Sequence, residues 1–349
     1  MKIENNNRQI WQDLFQAAIA FRDLKPWEWM YDTDLFGVQD PVSGEIGWCC
    51  IMGNAEEVYA LCVYLGDEGF ASYDRILSSY GGEMLEMQDQ IAVGLEQKML
   101  KVEFVGREEI TTVDRAAYKS LGLKFRGENQ WIQIREVLPS YYPWYISDEQ
   151  AVFLTHCLRQ AAEVAKRYQA DPKMLQTAED MLLVVVPATS GKGVVWKDSQ
   201  VPKPTTEDTA ARTIDPFLVN RAKKELEKEA VALCFSLSYI PGAMEDKKGE
   251  RPFFTRFAVW IAYGSGMITG FKILSPEEMD NEFDAIFLEQ LHLLEMIPQQ
   301  LVVDSKQAFD LVEPIAEALE IELIHDSEIE EFAEMKNSLG IFLGGEYGF

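Results

Sequence analysis

The arrangement of the second half of the chain limits its fold more than any single motif does. Three strand-like runs, Val231–Ile240, Phe254–Ala262 and Met267–Leu274, follow one another with no helix between them. Gly264-Ser265-Gly266 supplies a tight turn between the last two. From there helix and strand alternate: a helix over Pro276–Leu294 capped by Ser275, a strand at Leu301–Val303, a helix over Lys306–Leu319, a strand at Glu322–Ile324 and a helix over Glu328–Leu339. The order β-β-β-α-β-α-β-α calls for a mixed sheet, because tight turns pair strands antiparallel and helical crossovers return them parallel. Pro314, inside one predicted helix, has no N–H to give, so that helix is expected to kink or to start late.

The first half reads as a separate α+β region. Trp11, Leu14, Phe15, Ala18 and Phe21 make one apolar face of a helix over Arg8–Leu24, which Pro26 ends. Strands are predicted at Leu35–Gln39, Ile46–Met52 and Val58–Tyr64, the first two joined by the turn Asp40-Pro41-Val42-Ser43-Gly44. A helix at Phe70–Ser79 precedes an acidic, Met-rich stretch, Glu83–Gln90. Beyond it come strands at Leu100–Val105 and Trp131–Val137 flanking a helix at Val113–Leu121. Ser147 to Gln150 reads as a capping box that opens a helix to Tyr168. Leu182–Val186 and Val194–Trp196 form a hairpin about Thr189-Ser190-Gly191-Lys192-Gly193. That turn is not a phosphate loop, since Val186 stands where the loop needs glycine and Gly193 where it needs serine or threonine.

Between the halves, Lys197–Thr213 holds two prolines, three charges of each sign and little apolar content, which reads as a linker. Asp215-Pro216 then opens the second half as N-cap and first helical residue. The chain is therefore read as two α+β domains, 1–196 and 214–349, joined by 197–213. Its 349 residues suit two domains of ordinary size, and 47% apolar content supplies a core for each.

Charge and cysteine usage narrow the function. With 58 acidic and 32 basic residues, the net charge of −26 opposes general binding to nucleic acid or anionic membranes. No apolar run is long enough to cross a membrane. The polar N-terminus does not read as a secretion signal, and five cysteines without a CxxC pattern suit a reduced, cytoplasmic setting. Cys49 and Cys50 are neighbours in a strand and point to opposite faces.

No complete catalytic set can be assembled. His156 has no Cys, His or acid three or four residues on along its helix, Cys157 beside it diverges on the helix, and no serine sits in a nucleophile elbow. Asp32 and Asp34 lie in an acidic segment without the spacing of a calcium loop. No cofactor and no metal are expected. Tryptophan is concentrated in the first half, and Trp27, Trp29 and Trp48 are the candidates for a ligand-stacking surface.

Two resemblances add to this reading. Trp11, Leu14-Phe15, Pro26-Trp27, Trp29-Met30, Leu35-Phe36-Gly37-Val38, Asp40-Pro41 and Tyr64-Leu65-Gly66 with Glu68-Gly69 resemble an uncharacterised bacterial family, a domain of unknown function, over residues 8–170. That likeness implies a bacterial cytoplasmic origin and no particular activity. Phe257–Gly270, followed by Pro298 and Leu301-Val302-Val303-Asp304-Ser305, resembles the integrase and transposase core of the ribonuclease-H-like fold. The resemblance implies two metal ions held by an acid in the first strand and another ending the fourth. Asp304 stands at the second place, whereas Val231–Ile240 contains no acid. The expected function is thus a non-catalytic module that binds a protein partner or a small ligand. The alternatives are a divergent metal-dependent phosphoryl-transfer enzyme using Asp304 and an acidic mimic of nucleic acid.

Overall fold

The apolar face read over Arg8–Leu24 becomes helix α1 over that same span in the computed structural model of the chain, which describes residues 3–81, 87–190, 193–205 and 214–332. Lys25 closes the helix in left-handed backbone (φ 54°), its N–H reaching the carbonyls of Phe21 and Arg22, and Pro26 starts a short 3-10 turn. Strands β1 (Phe36–Gln39), β2 (Ile46–Met52) and β3 (Ala60–Leu65) follow, then helices α2 (Gly66–Gly81) and α3 (Met87–Leu95). Next come β4 (Met99–Val105), α4 (Thr112–Leu121), β5 (Trp131–Val137), α5 (Asp148–Ala170), β6 (Met181–Ser190) and β7 (Gly193–Pro202).

These seven strands form one sheet in the order β5-β4-β3-β2-β1-β6-β7, antiparallel except where β6 runs parallel to β1. Going from β5 to β6 means crossing five strand spacings, about 24 Å. Helix α5, with 23 residues and a length of about 35 Å, makes that crossing. Because both faces are covered, β2 and β3 are buried along almost their whole length. Cys49, Ile51, Leu61 and Val63 pack with α1 and α5 on one face; Trp48, Cys50, Cys62 and Tyr64 pack with Phe70 and Tyr73 of α2 on the other.

Composition places Lys197–Pro202 in the linker, but the structure places it in β7, paired from Val186 opposite Lys197 to Met181 opposite Pro202. β7 is an edge strand, so it carries polar residues without losing its ladder to β6. Gly191 and Lys192 of the hairpin turn, and residues 206–213 of the predicted linker, lie outside the described residues.

The chain falls into two compact units. In the second, Asp215 caps α6 (Pro216–Glu225) by accepting the Phe217 N–H at 2.8 Å. After it come β8 (Glu227–Tyr239), β9 (Arg256–Ala262), β10 (Met267–Leu274), α7 (Pro276–Asn281), α8 (Phe283–Leu293), β11 (Met296–Val303), α9 (Lys306–Leu319) and β12 (Glu322–His325). The five strands are ordered β10-β9-β8-β11-β12. β8, β9 and β10 pair antiparallel, and β11 lies parallel to both β8 and β12. Pro298 is tolerated in β11 because the register shifts there and β12 pairs only from Gln300 onward.

One predicted helix is divided. Pro276–Leu294 breaks at Glu282 (φ −124°, ψ −6°), and the second piece turns Phe283 and Phe287 onto Phe235, at ring separations of 6.0 and 5.4 Å. Helix α9 begins at Lys306 under Ser305, so Pro314 does not delay its start. The last predicted helix is helical at residues 330–332, and its remainder lies outside the described residues.

The second unit also takes residues 87–95 and 140–142 from the first half of the chain. Tyr141 bridges Phe253, the Ser140 carbonyl accepts the Phe254 N–H, and the Ser140 and Tyr239 hydroxyls lie 2.8 Å apart. Such pairings join residues far apart in sequence and leave no local pattern to read. Among the described residues, no helix is long and apolar enough to cross a membrane.

Candidate functional site

Three segments of the first unit meet at a groove of about 650 Å³: the end of α1, the turn after β2 and the loop before β5. Its floor is Trp27, 8% exposed, with its ring 5.2 Å from Tyr59 and 5.6 Å from Phe104. Gly53 must be glycine here. Its φ is 136°, and a Cβ would stand 2.7 Å from the Tyr59 ring and 2.9 Å from Trp27. Asn54 Nδ2 donates to the Trp27 carbonyl at 3.2 Å, and Arg22 Nη1 donates to the Gln130 carbonyl at 2.8 Å, tying the walls to the floor. Lys25 (φ 54°), Glu56 (φ 62°) and Asn129 (φ 53°) stand on the rim in left-handed backbone. For residues with a Cβ such conformations are costly, and they gather at ligand clamps more often than elsewhere.

The three candidate tryptophans do not line one surface. Trp29 donates its indole N–H to the Ala165 carbonyl at 2.9 Å, which pins the segment after α1 to α5. Trp48 is 1% exposed and packs edge-on against Phe70, on the sheet face opposite Trp27. Only Trp27 reaches the groove.

Asp304 directly follows β11 and is 6% exposed. Its Oδ2 accepts a hydrogen bond from Ser236 Oγ at 2.7 Å. Ser236 belongs to β8, the parallel neighbour of β11, so the group β8 presents to Asp304 is a hydroxyl and not a carboxylate. Of the acids in the C-terminal region, Asp326 accepts the Glu328 N–H at 3.0 Å and Glu331 accepts the Gly264 N–H at 2.6 Å. Glu334 lies outside the described residues. Burial pushes the Cys234 thiol up to about 12, with the charges of Glu331 and Asp304 adding to the effect. No three His, Cys, Asp or Glu side chains among the described residues gather as a metal ion would require. The described residues at Asp304 do not fit a pair of metal ions.

The acidic segment is used internally too. Asp34 accepts the Tyr31 N–H at 2.8 Å and the Tyr168 hydroxyl at 3.1 Å, while the Asp32 carbonyl accepts the Tyr73 hydroxyl at 3.0 Å. Reading the sequence missed a buried network in the first unit. Arg135 of β5 grips both oxygens of Asp114 at 3.0 and 2.7 Å and lies 4.7 Å over the Tyr145 ring. Asp114 also closes the capping box with Thr111 at the start of α4. The spacing of Thr111 and Asp114 was the available signal.

Two family models match the chain, and no curated protein does. Residues 218–340 match a domain of unknown function, DUF6930, which covers most of the second unit. The domain of unknown function DUF7309 matches residues 11–185, which span α1 to the middle of β6 and hold the whole of the Trp27 groove. That match extends over half of the chain, and the protein belongs to the DUF7309 family.

Proposed function

We propose that the chain is a non-catalytic binding module of the bacterial cytoplasm, and that its first unit seats a small ligand in the groove over Trp27 and Tyr59. The observation that carries this reading is the rim, where three residues with side chains hold left-handed backbone around one aromatic-floored groove. A volume of about 650 Å³ suits a ligand of one or two rings. Four acids and two cations on the walls favour a neutral or cationic ligand. Ligand-observed NMR with a library of small aromatic amines and amides tests it. Binders should be lost on Asn54→Arg, which fills the exposed mouth, and weakened by Trp27→Leu. If neither change affects any binder, the groove is not the seat.

For the second unit we propose a degenerate ribonuclease-H-like sheet. The strand order β10-β9-β8-β11-β12 supports it, with three antiparallel strands leading into parallel ones. Ser236 against Asp304 weighs against phosphoryl transfer there. We place the boundary between the two domains in the predicted linker, after β7.

A further inference from the structure

We propose a second ligand site in the first unit, on the other flank of the loop before β5, that takes a small aromatic anion: a flat ring carrying a phosphate or a carboxylate. It does not depend on the Trp27 groove, and either site can fail without the other.

The site is built by the end of α4. Gly122 (φ 74°) caps the helix, its N–H reaching the carbonyls of Tyr118 and Lys119, and the Leu123 N–H also returns to Tyr118. This reversal brings Lys124 and Phe125 back beside the helix face that carries Arg115 and Lys119. A groove of about 420 Å³ opens between them, within the range of small-ligand sites. Its floor is a cluster of three rings: Tyr118 and Phe125 at 5.0 Å, Phe125 and Trp131 at 6.0 Å, Tyr118 and Trp131 at 6.0 Å. Tyr118 turns its hydroxyl away to the Ile132 carbonyl at 2.7 Å. Phe125 and Trp131 are half-buried and leave ring surface open to the groove.

The charges decide the ligand class. From Arg115 to Gly127 the sequence has Arg115, Lys119, Lys124 and Arg126 and no acid, in a chain where acids outnumber bases 58 to 32. Arg115, Lys119 and Lys124 border the groove, and none of them forms an ion pair among the described residues; Arg115 reaches only the Arg107 carbonyl at 3.5 Å. Elsewhere exposed cations do meet acids, as Lys98 meets Glu68 at 2.6 Å and Arg167 meets Asp198 at 2.6 Å. Unpaired cations bordering half-buried rings recognise a planar body with an anionic end, since lysine and arginine bind phosphate and carboxylate while the rings stack. A nucleic-acid strand presents the same chemistry, but its extended charge would meet the field of the remaining surface. A small anion meets less of that field, because screening confines it to about 8 Å at physiological salt.

Titration calorimetry with the intact chain tests the proposal, using adenosine monophosphate and naphthoate as probes. Adenosine, inorganic phosphate and a short single-stranded oligothymidylate are the comparisons. At least one of the two probes should bind, and Lys119→Glu with Lys124→Glu should weaken it about ten-fold or more, as should Trp131→Leu. The paired lysine changes lie on exposed positions, so their thermal unfolding should match that of the parent and separate lost binding from lost folding. Preference for the phosphate over the carboxylate probe, or the reverse, identifies the anionic group. The proposal is overturned if neither probe binds, if charge reversal leaves binding unchanged, or if the oligonucleotide binds more tightly than the mononucleotide.

Discussion

Each unit buries a carboxylate at its sheet, and the two are held differently. In the first, Asp114 is clamped by both arms of the Arg135 guanidinium, which itself lies over Tyr145. In the second, Asp304 leans on the Ser236 hydroxyl, a neutral donor. A bidentate pair fixes the angle between α4 and β5 and is severe when broken, because the survivor is left as a buried, uncompensated charge. The Ser236 hydroxyl carries no charge, so removing it leaves no second buried ion behind. Both units also rest on packing, α1 and α5 against one face of the first sheet and α6, α8 and α9 against one face of the second.

The largest test of that contrast is Arg135→Met. It should cost about 3–5 kcal/mol in denaturant unfolding. Adding Asp114→Leu to it should recover much of the loss, because no buried charge then remains. If the double variant is as unstable as the single, the network holds the unit by shape and not by charge. Ser236→Ala is the matching change in the second unit and should cost less, about 1–3 kcal/mol. A cost equal to that of Arg135→Met would erase the distinction. Ser275→Ala removes the capping box of α7 and should cost about 1 kcal/mol by the same measurement. The smallest effect concerns pH. Burial, aided by Arg159, lowers the pKa of His156 below its ordinary value, with Asp40 opposing. The neutral form is then favoured in the fold, so this contribution is complete above about pH 6.5 and is lost as pH falls through the lower folded value. Thermal unfolding followed from pH 8 to 5 should show that decline in the parent, and His156→Gln should flatten it.

Much of the fold was legible because its signals are local. The spans of α1, β2, β5 and β10 follow from periodicity, and the caps at Ser147, Asp215 and Ser275 from residue type at fixed offsets. β7 was not, since an edge strand carries polar residues that resemble a linker. Neither was the break at Glu282, which packing of Phe283 and Phe287 enforces from outside the helix. Trp27 was a candidate from sequence, yet its groove needs Gly53 and Asn129, brought together only by the fold. The cationic run from Arg115 to Arg126 was present in the sequence throughout. It stands out only once α4 turns back on itself and its charges are seen to be unpaired.

The three residues Ser140 to Tyr142 also set a timetable. Their partners, Tyr239 and Pro252 to Phe254, are polymerised later than they are by about a hundred residues, an interval of roughly 5–20 s on the ribosome. Throughout that interval the nascent chain carries a bridging segment and the α3 sequence before their partner strand β8 has been made. The first unit therefore emerges with two unmatched pieces, and the second cannot finish until it recovers them. Synthesis order makes the later unit depend on the earlier one, and a pause or truncation before Phe253 would leave that segment exposed to whatever edge strand it met first.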